Sequence, residues 1–293
     1  MLETGDTPLV GLSNLVNGLN ARLFLKLEGH NSSGSVKDRA VAYILEKAKT
    51  EGRLNRNSII TELTPGTTGV SAAWAAHELG YACEIVSSPD ILLEKKEKIE
   101  SYGGKIIFLP TEVLQQGVPA VFKFYDEFRQ KGNYFPLNQF SNPLFAEAYE
   151  SSMIPEIQTQ LYGQPISTLI ASVGTGSTLM GVSSGLKKIN QDLKIIAVEP
   201  AVAPGGPGPW ENISGLRNTN VVHLGENDVY DLKRATKTTY VTLSQAESFL
   251  EKLADLGIEA GTSSGAVLYA VMEAEKLTGN VVMLSCDGYK KGE

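Results

Sequence analysis

The chain has 293 residues, 42% of them hydrophobic, enough for one large domain or two coupled smaller ones and far from a small scaffold stapled by disulfides. Its formal net charge of −7 comes from acidic and basic residues interspersed along the chain, and without a run of Lys or Arg it excludes nucleic acid as an expected partner. No stretch approaches the ~20 apolar residues that cross a bilayer, and the opening MLETGDTPLVGL lacks the charged and apolar regions of a signal peptide, so no membrane partner and a cytoplasmic location are expected.

In chain order, short β-branched runs alternate with helical patterns. A helix VKDRAVAYILEKAKTEG (36–52) is followed by strand SIITEL (58–63), helix GVSAAWAAHELG (69–80), strand ACEIV (82–86), helix ILLEKKEKIESYGG (91–104), strand KIIFLP (105–110) and helix AVFKFYDEFRQKG (120–132). The second half adds strands STLIASV (167–173) and KIIAVEP (194–200), helices SQAESFLEKLADLG (244–257) and SGAVLYAVMEAEKLTG (264–279), and strand VVMLSC (281–286). The alternation predicts an α/β fold of parallel sheets covered by helices, and the Gly closing several helices is a common C-terminal signal. No repeat or long linker marks a boundary; the nearest candidate, AVAPGGPGPW (201–210), reads as a functional surface loop or as a plain disordered connection. Cys83 and Cys286 end or interrupt apolar runs, the setting of buried reduced thiols.

Four segments have the composition of a chemical site. In NSSGSVKDRA, Ser35 is placed to cap a helix and Asp38 to return the hydrogen bond as in a capping box, which puts Lys37 in the first turn. The helix macrodipole disfavours a cation there by roughly a few tenths of a kcal/mol. The same field favours a neutral, imine-forming amine, although a solvated surface lysine fits the pattern too. TELTPGTTG, between a strand and a helix, aims amides and hydroxyls at one point suited to a carboxylate, or is an ordinary tight turn. VGTGSTLMG repeats that arrangement with Gly174 and Gly176 allowing close approach of a phosphate; it is neither a complete dinucleotide fingerprint nor a P-loop. In GTSSGA, Ser263 or Ser264 is placed to cap the following helix. His30, His77 and His223 have no ligand spacing, so no metal is expected.

Taken in order, TPLVGL, KLEGHNSSGSVKDRA, TPGTTG, NQFSNP, GTGSTLMGV, VEP and GTSSGAVL resemble the motifs of the cysteine synthase family of pyridoxal-phosphate (PLP) enzymes, to which tryptophan synthase β and cystathionine β-synthase also belong. KLEGHNSSGSVKDRA and SGLRN are most similar to the cysteine synthase B and O-phosphoserine-using types. The resemblance implies two open, twisted, mostly parallel sheets flanked by helices with PLP in the cleft between domains. A smaller mobile substrate-binding domain (34–142) would be inserted in a larger phosphate-binding one (1–33 and 143–293), and the assembly would be a homodimer. It implies β-replacement on an activated serine, O-acetylserine or O-phosphoserine, through an aminoacrylate, with sulfide or thiosulfate as nucleophile and L-cysteine or S-sulfocysteine as product.

By the same resemblance Lys37 is the Schiff-base lysine and acid–base group, and Gly174, Thr175, Gly176, Ser177 and Thr178 wrap the cofactor phosphate. Ser263 faces the ring nitrogen, and a neutral serine there implies a weak electron sink. Thr64, Pro65, Gly66, Thr68 and Gln139 form the substrate-carboxylate side, and Gly215 and Arg217 face the leaving group or second substrate. Thr67, on the cofactor side, stands where the family has an Asn that meets the ring oxygen, and its shorter side chain implies that this contact weakens, reroutes through water or is lost. The pattern departs from the family where TPGTTG replaces T-S-G-N-T-G, where Ser177 replaces a glycine, and where CDGYKKGE stands for a D-x-G-x-R-Y stretch and tail. These departures keep open another β-replacement or elimination (cystathionine or diaminopropionate synthesis, cysteine desulfhydration) and a degenerate paralogue acting as a regulatory or binding protein.

Overall fold

The computed structural model describes residues 2–12, 20–202, 212–220 and 230–288, so most of the segment 201–210 and His223 lie outside the described residues. Among the described residues, six strands form one sheet: β1 (Leu9–Gly11), β2 (Ala21–Leu27), β7 (Ile166–Ser172), β8 (Lys194–Pro200), β9 (Lys237–Val241) and β10 (Gly279–Ser285), in the order β1-β2-β10-β7-β8-β9. Only the edge pair β1/β2 is antiparallel. A second, all-parallel sheet has the order β5-β4-β3-β6, with β3 (Ile59–Leu63), β4 (Ala82–Ser87), β5 (Lys105–Phe108) and β6 (Tyr134–Pro136). Parallel sheets covered by helices are what the alternating pattern predicts, and their division into two open sheets is what the resemblance implies. The strands of the second sheet all lie within 59–136, and those of the first lie outside that stretch.

Helices cover both sheets: α1 (Lys37–Thr50), α2 (Thr67–Leu79), α3 (Leu93–Ser101), α4 (Thr111–Gln115), α5 (Val118–Arg129), α6 (Leu144–Gln160), α7 (Ser177–Ile189), α8 (Leu243–Asp255) and α9 (Thr262–Met272). Parallel strands need such crossovers, and a sheet covered on both faces buries both sets of alternating side chains. In β10, Val282 and Leu284 join one buried cluster while Val281 and Met283 join the cluster on the opposite face, which is why the strand reads as a continuous apolar run. The first cluster is shared by the two sheets: Ile44 of α1, Ile60 of β3 and Ala72 of α2 belong to it together with Phe145 and Tyr149 of α6 and Leu169 of β7. A smaller cluster, Leu63, Val86, Leu109 and Tyr125, packs α5 on the other face of the second sheet.

Gly80 closes α2 in the left-handed conformation (φ 75°), as its place after the last apolar turn implies. Helix α6, absent from the sequence reading, contains Pro155 and three Ser or Thr residues, which mask its helical pattern. Among the described residues no helix is long and apolar enough to cross a membrane.

Candidate active site

Helix α1 begins where the C-terminal end of β10 meets the segment before it. The Val36 amide donates to the Cys286 carbonyl (2.8 Å), and Ser35 and Asp287 form an isolated antiparallel bridge. Lys37 is the first residue of α1, as its position after Ser35 predicts, and the Ser35 hydroxyl accepts from the Lys37 amide at 3.0 Å. The capping box does not form. The buried Asp38 carboxylate turns the other way, accepting from the Ser33 amide (2.6 Å), the Ser33 hydroxyl and the Ser71 hydroxyl of α2 (2.6 Å). Three donors inside the core outweigh the single backbone N–H of Ser35, a residue already bridged to Asp287, and burial pushes the Asp38 carboxyl up to about 6.

Two residues further along α1, Arg39 anchors the helix to a buried ion network. Its Nε and Nη2 grip the Glu28 carboxylate at 2.6 and 2.8 Å, and Nη1 meets Glu156 of α6 at 2.9 Å. Lys26 of β2 is fully buried and pairs with the same Glu156, adding Gln160 at 3.0 Å. Burial lowers the Lys26 pKa against the pull of Glu156 and Glu28. A fork–fork Arg–carboxylate pair fixes direction as well as distance, so the start of α1 is held from β2, α6 and β10 at once.

Lys37 points into a cleft between the two sheets, a cavity of about 760 Å³. That volume holds a cofactor together with an amino acid. The amine lies 3.4 Å from the Thr175 hydroxyl and 6.0 Å from the Phe145 ring centroid. Burial lowers its pKa, with Cys286, Glu62 and Asp287 pulling the other way. A lysine opening only to a cleft and biased toward the neutral amine is suited to attack a carbonyl.

One wall is the loop 64–69 and the N-terminus of α2. The Thr64 hydroxyl accepts from the Gly66 amide (2.9 Å), Gly66 caps the helix in an extended conformation, and Pro65 is exposed. Thr68 donates its hydroxyl hydrogen to Gln139 Oε1 (2.6 Å), while Gln139 Nε2 donates to the Leu63 carbonyl (3.2 Å). Thr64, Thr68 and Gln139 are buried, and with Thr67 all four line the cavity.

The opposing wall is the loop 174–178 at the N-terminus of α7. Gly176 has φ 87°, and a Cβ there would stand 2.4 Å from Tyr230 Cβ; a Cβ on Gly174 would stand 2.2 Å from the Gly215 carbonyl oxygen. The Ser177 hydroxyl is fully buried and lies 2.7 Å from the Thr175 hydroxyl, so the unusual serine extends the loop's own hydrogen bonding inward. Gly174, Thr175, Gly176 and Thr178 share the narrow end of the cleft with Lys37, Ser263, Cys286 and Asp287. Cys83 is buried; Cys286 is partly accessible, unlike the buried thiol its run implies, because it sits where β10 opens onto the cleft. Neither forms a disulfide. Ser263 and Ser264 do not cap α9, which starts at Thr262 after Gly261: Ser263 donates to Asp287 Oδ1 (3.0 Å), and Ser264 pairs with the Ser285 hydroxyl (2.6 Å).

The remaining rim is the segment 212–217. Gly215 is left-handed (φ 82°), and Arg217 is buried, lines the cavity and donates its amide to the Val173 carbonyl at 2.9 Å. Three charged residues join the site without having been singled out in the sequence. Lys95 of α3 reaches across the cleft to the Ser214 hydroxyl at 3.1 Å. Glu62 of β3, buried beneath the loop 64–69, accepts from the Leu63 amide (2.8 Å) and the Gln139 amide (3.0 Å), and burial pushes it up to about 7. Asp287 follows β10. Glu62 and Asp287 carried a faint signal, an acid inside or directly after an apolar strand run; Lys95 sits in an ordinary charged helix and carried none.

An amine at the floor, a hydroxyl- and amide-rich loop at a helix N-terminus on one side and a hydroxyl facing it from α9 form a donor set that fits a phosphorylated aldehyde cofactor. Comparison with known proteins agrees. The family model described as pyridoxal-phosphate dependent enzyme matches residues 1–287. The cysteine synthase of Staphylococcus aureus is 33% identical over 280 residues, covering 94% of this chain and 87% of that protein. Cysteine synthase B of Pseudomonas aeruginosa is 31% identical over 286 residues, 97% of this chain and 91% of that one. The crystal structure of O-acetyl serine sulfhydrylase isoform 3 from Entamoeba histolytica superposes with a TM-score of 0.83 at 28% identity, covering 97% and 86% of the two chains. With the fold, the lysine-floored cleft and both loops in place, the chain belongs to the pyridoxal-phosphate dependent enzymes and is of the cysteine synthase type.

Proposed function

We propose that this cleft transfers sulfur to the β-carbon of an activated serine, O-acetylserine or O-phosphoserine, taking sulfide or thiosulfate as donor. The observation that carries the reading is the Lys37 amine, enclosed at the cleft floor with its pKa lowered by burial and placed between two helix N-termini. Bound PLP supplies the electron sink that acidifies the substrate α-carbon and releases the β-substituent. Lys37 Nζ would hold the cofactor and, as a free neutral amine, would take the substrate α-proton and later return one. Gly174, Thr175, Gly176, Ser177 and Thr178 hold the phosphate with amides and hydroxyls at the N-terminus of α7, and Ser263 meets the ring nitrogen. Thr64, Gly66, Thr68 and Gln139 hold the substrate carboxylate, helped by the positive end of α2, while Pro65 shapes the loop without donating an N–H. Thr67 would offer the cofactor side a single short hydroxyl in place of the family's Asn, weakening the contact with the ring oxygen or routing it through water. Gly215 leaves room for the β-substituent, and the planar Arg217 guanidinium suits an anionic one.

Residues 34–142 are proposed to move as the substrate-binding unit against 1–33 and 143–293, in a cytoplasmic homodimer. The buried Cys83 and the unpaired Cys286 fit a reducing compartment. Chromatography of products after incubating the holoenzyme with each activated serine and each sulfur donor tests the reaction. Cysteine or S-sulfocysteine is expected; pyruvate alone would mean elimination, and no product from any pair would leave a cofactor-bearing paralogue.

A further inference from the structure

The expectation from sequence is that a lone serine at the ring nitrogen leaves the cofactor a weak electron sink. The surroundings of Ser263 point elsewhere. Its hydroxyl donates to Asp287 Oδ1 at 3.0 Å. A hydroxyl carries one hydrogen, so with that hydrogen committed to the carboxylate, Ser263 Oγ presents only lone pairs to whatever it meets in the cleft.

The carboxylate occupies a built seat. A side chain at Gly261 would put its Cβ 2.6 Å from Asp287 Oδ1, so the bare backbone of the turn into α9 is what admits the group. The Asp287 carbonyl accepts from the Gly261 amide at 3.0 Å, and the bridge to Ser35 ties the same residue to the turn that bears Lys37. Ser263 and Asp287 both face the narrow end of the cleft, beside Lys37 and the loop 174–178. Burial raises the Asp287 carboxyl pKa and Glu94 adds to it, while Lys95, the Ser263 hydroxyl and Lys37 pull the group back toward its charged form.

We propose that Asp287 is a positioning residue that makes Ser263 an acceptor toward the cofactor ring nitrogen, so that this nitrogen carries a proton in the holoenzyme. The inference rests on the reading of Ser263 as the ring nitrogen's neighbour. Three sites, the Asp287 carboxylate, the Ser263 hydroxyl and the ring nitrogen, share two hydrogens. In the proposed arrangement the ring N–H donates to Ser263 Oγ, and the Ser263 O–H donates to Asp287. The alternative, with the proton on Asp287, has its O–H donate to Ser263 and the Ser263 O–H donate to a neutral ring. Passing between them moves one proton along each link and leaves the total charge unchanged. A protonated ring withdraws electrons more strongly, so the site behaves as one in which a carboxylate faces the ring through a single hydroxyl.

Nitrogen-15 NMR of the holoenzyme loaded with PLP labelled at the ring nitrogen reads this proton without reference to turnover. A pyridinium shift is expected in the native protein, moving to the neutral-pyridine position in Asp287→Asn and in Ser263→Ala. A neutral-pyridine shift in the native protein overturns the inference even if neither variant folds, and so does a pyridinium shift unchanged in Asp287→Asn. If the labelled cofactor is bound but Lys37→Ala binds it identically, or if it is not bound at all, the functional reading falls and this inference with it.

Discussion

Two junctions of one kind, strand to turn to helix, face each other across the cleft, and they are packed to different standards. At 174–178 a Cβ on Gly174 or Gly176 would run into Gly215 or Tyr230 at 2.2–2.4 Å, and the hydroxyls of Thr175 and Ser177 bond each other. At 64–69 a Cβ on Gly66 would meet only the Thr64 hydroxyl at 3.4 Å, and Pro65 is exposed. A site for a permanent cofactor is served by a loop with one allowed shape; a site for a visiting substrate tolerates change. The family departures divide accordingly. Ser177 is absorbed into buried hydrogen bonds, whereas Pro65 and Thr67 alter groups that face the open cleft.

The largest effect that sharpens this contrast is expected at the floor shared by both junctions. Lys37→Ala should lower kcat by about 10²–10⁴-fold, measured by product formation at saturating donor, while leaving the fold intact. Next comes a paired test of the loops. Gly176→Ala meets both a left-handed backbone and Tyr230 and should destabilise the holoenzyme by about 1–3 kcal/mol with loss of retained PLP. Gly66→Ala should shift stability by no more than about 0.5 kcal/mol. Equal losses in denaturant titrations of the two variants would erase the distinction.

On the substrate side, Gln139→Ala leaves the Thr68 hydroxyl without its acceptor and should raise KM for the amino acid about tenfold, a cost of roughly 1.4 kcal/mol, with smaller change in kcat. Arg217→Lys should lower kcat/KM for O-phosphoserine by about tenfold and leave O-acetylserine nearly unchanged, since a lysine keeps the charge but loses the planar fork. The smallest effect is in pH. Burial raises the carboxyls of Asp38 to about 6 and Glu62 to about 7, above their unfolded values, so each binds a proton more tightly when folded. Their contribution to stability is present in full below the unfolded values of 3.8 and 4.5 and is lost as pH rises to about 6 and about 7, so Tm should fall between about pH 4 and about pH 7. Glu62→Gln should flatten the upper part of that fall.

The same division explains what was legible in the sequence. Strands β3, β4, β7, β8 and β10 declared themselves because their residues are buried on both faces and read as apolar runs. Strand β2 did not: Lys26 interrupts it, and a lysine signals a core position only once Glu156 is beside it, 130 residues away. The two loops and Lys37 were visible as local motifs. The contacts that tune them were not, because Glu62, Lys95 and Asp287 acquire their roles from partners brought in by folding; Asp287 meets Ser263 across 24 residues of chain. The capping box failed for the same reason, since the donors that won Asp38 include Ser71, 33 residues on.

The most direct measurement is the absorption spectrum of the purified protein reconstituted with PLP, set beside that of Lys37→Ala. A visible band from covalently held cofactor that is absent in the variant, and that changes on adding an activated serine and returns on adding sulfide or thiosulfate, is the predicted result. A band independent of Lys37, or none at all, would contradict the assignment of this cleft.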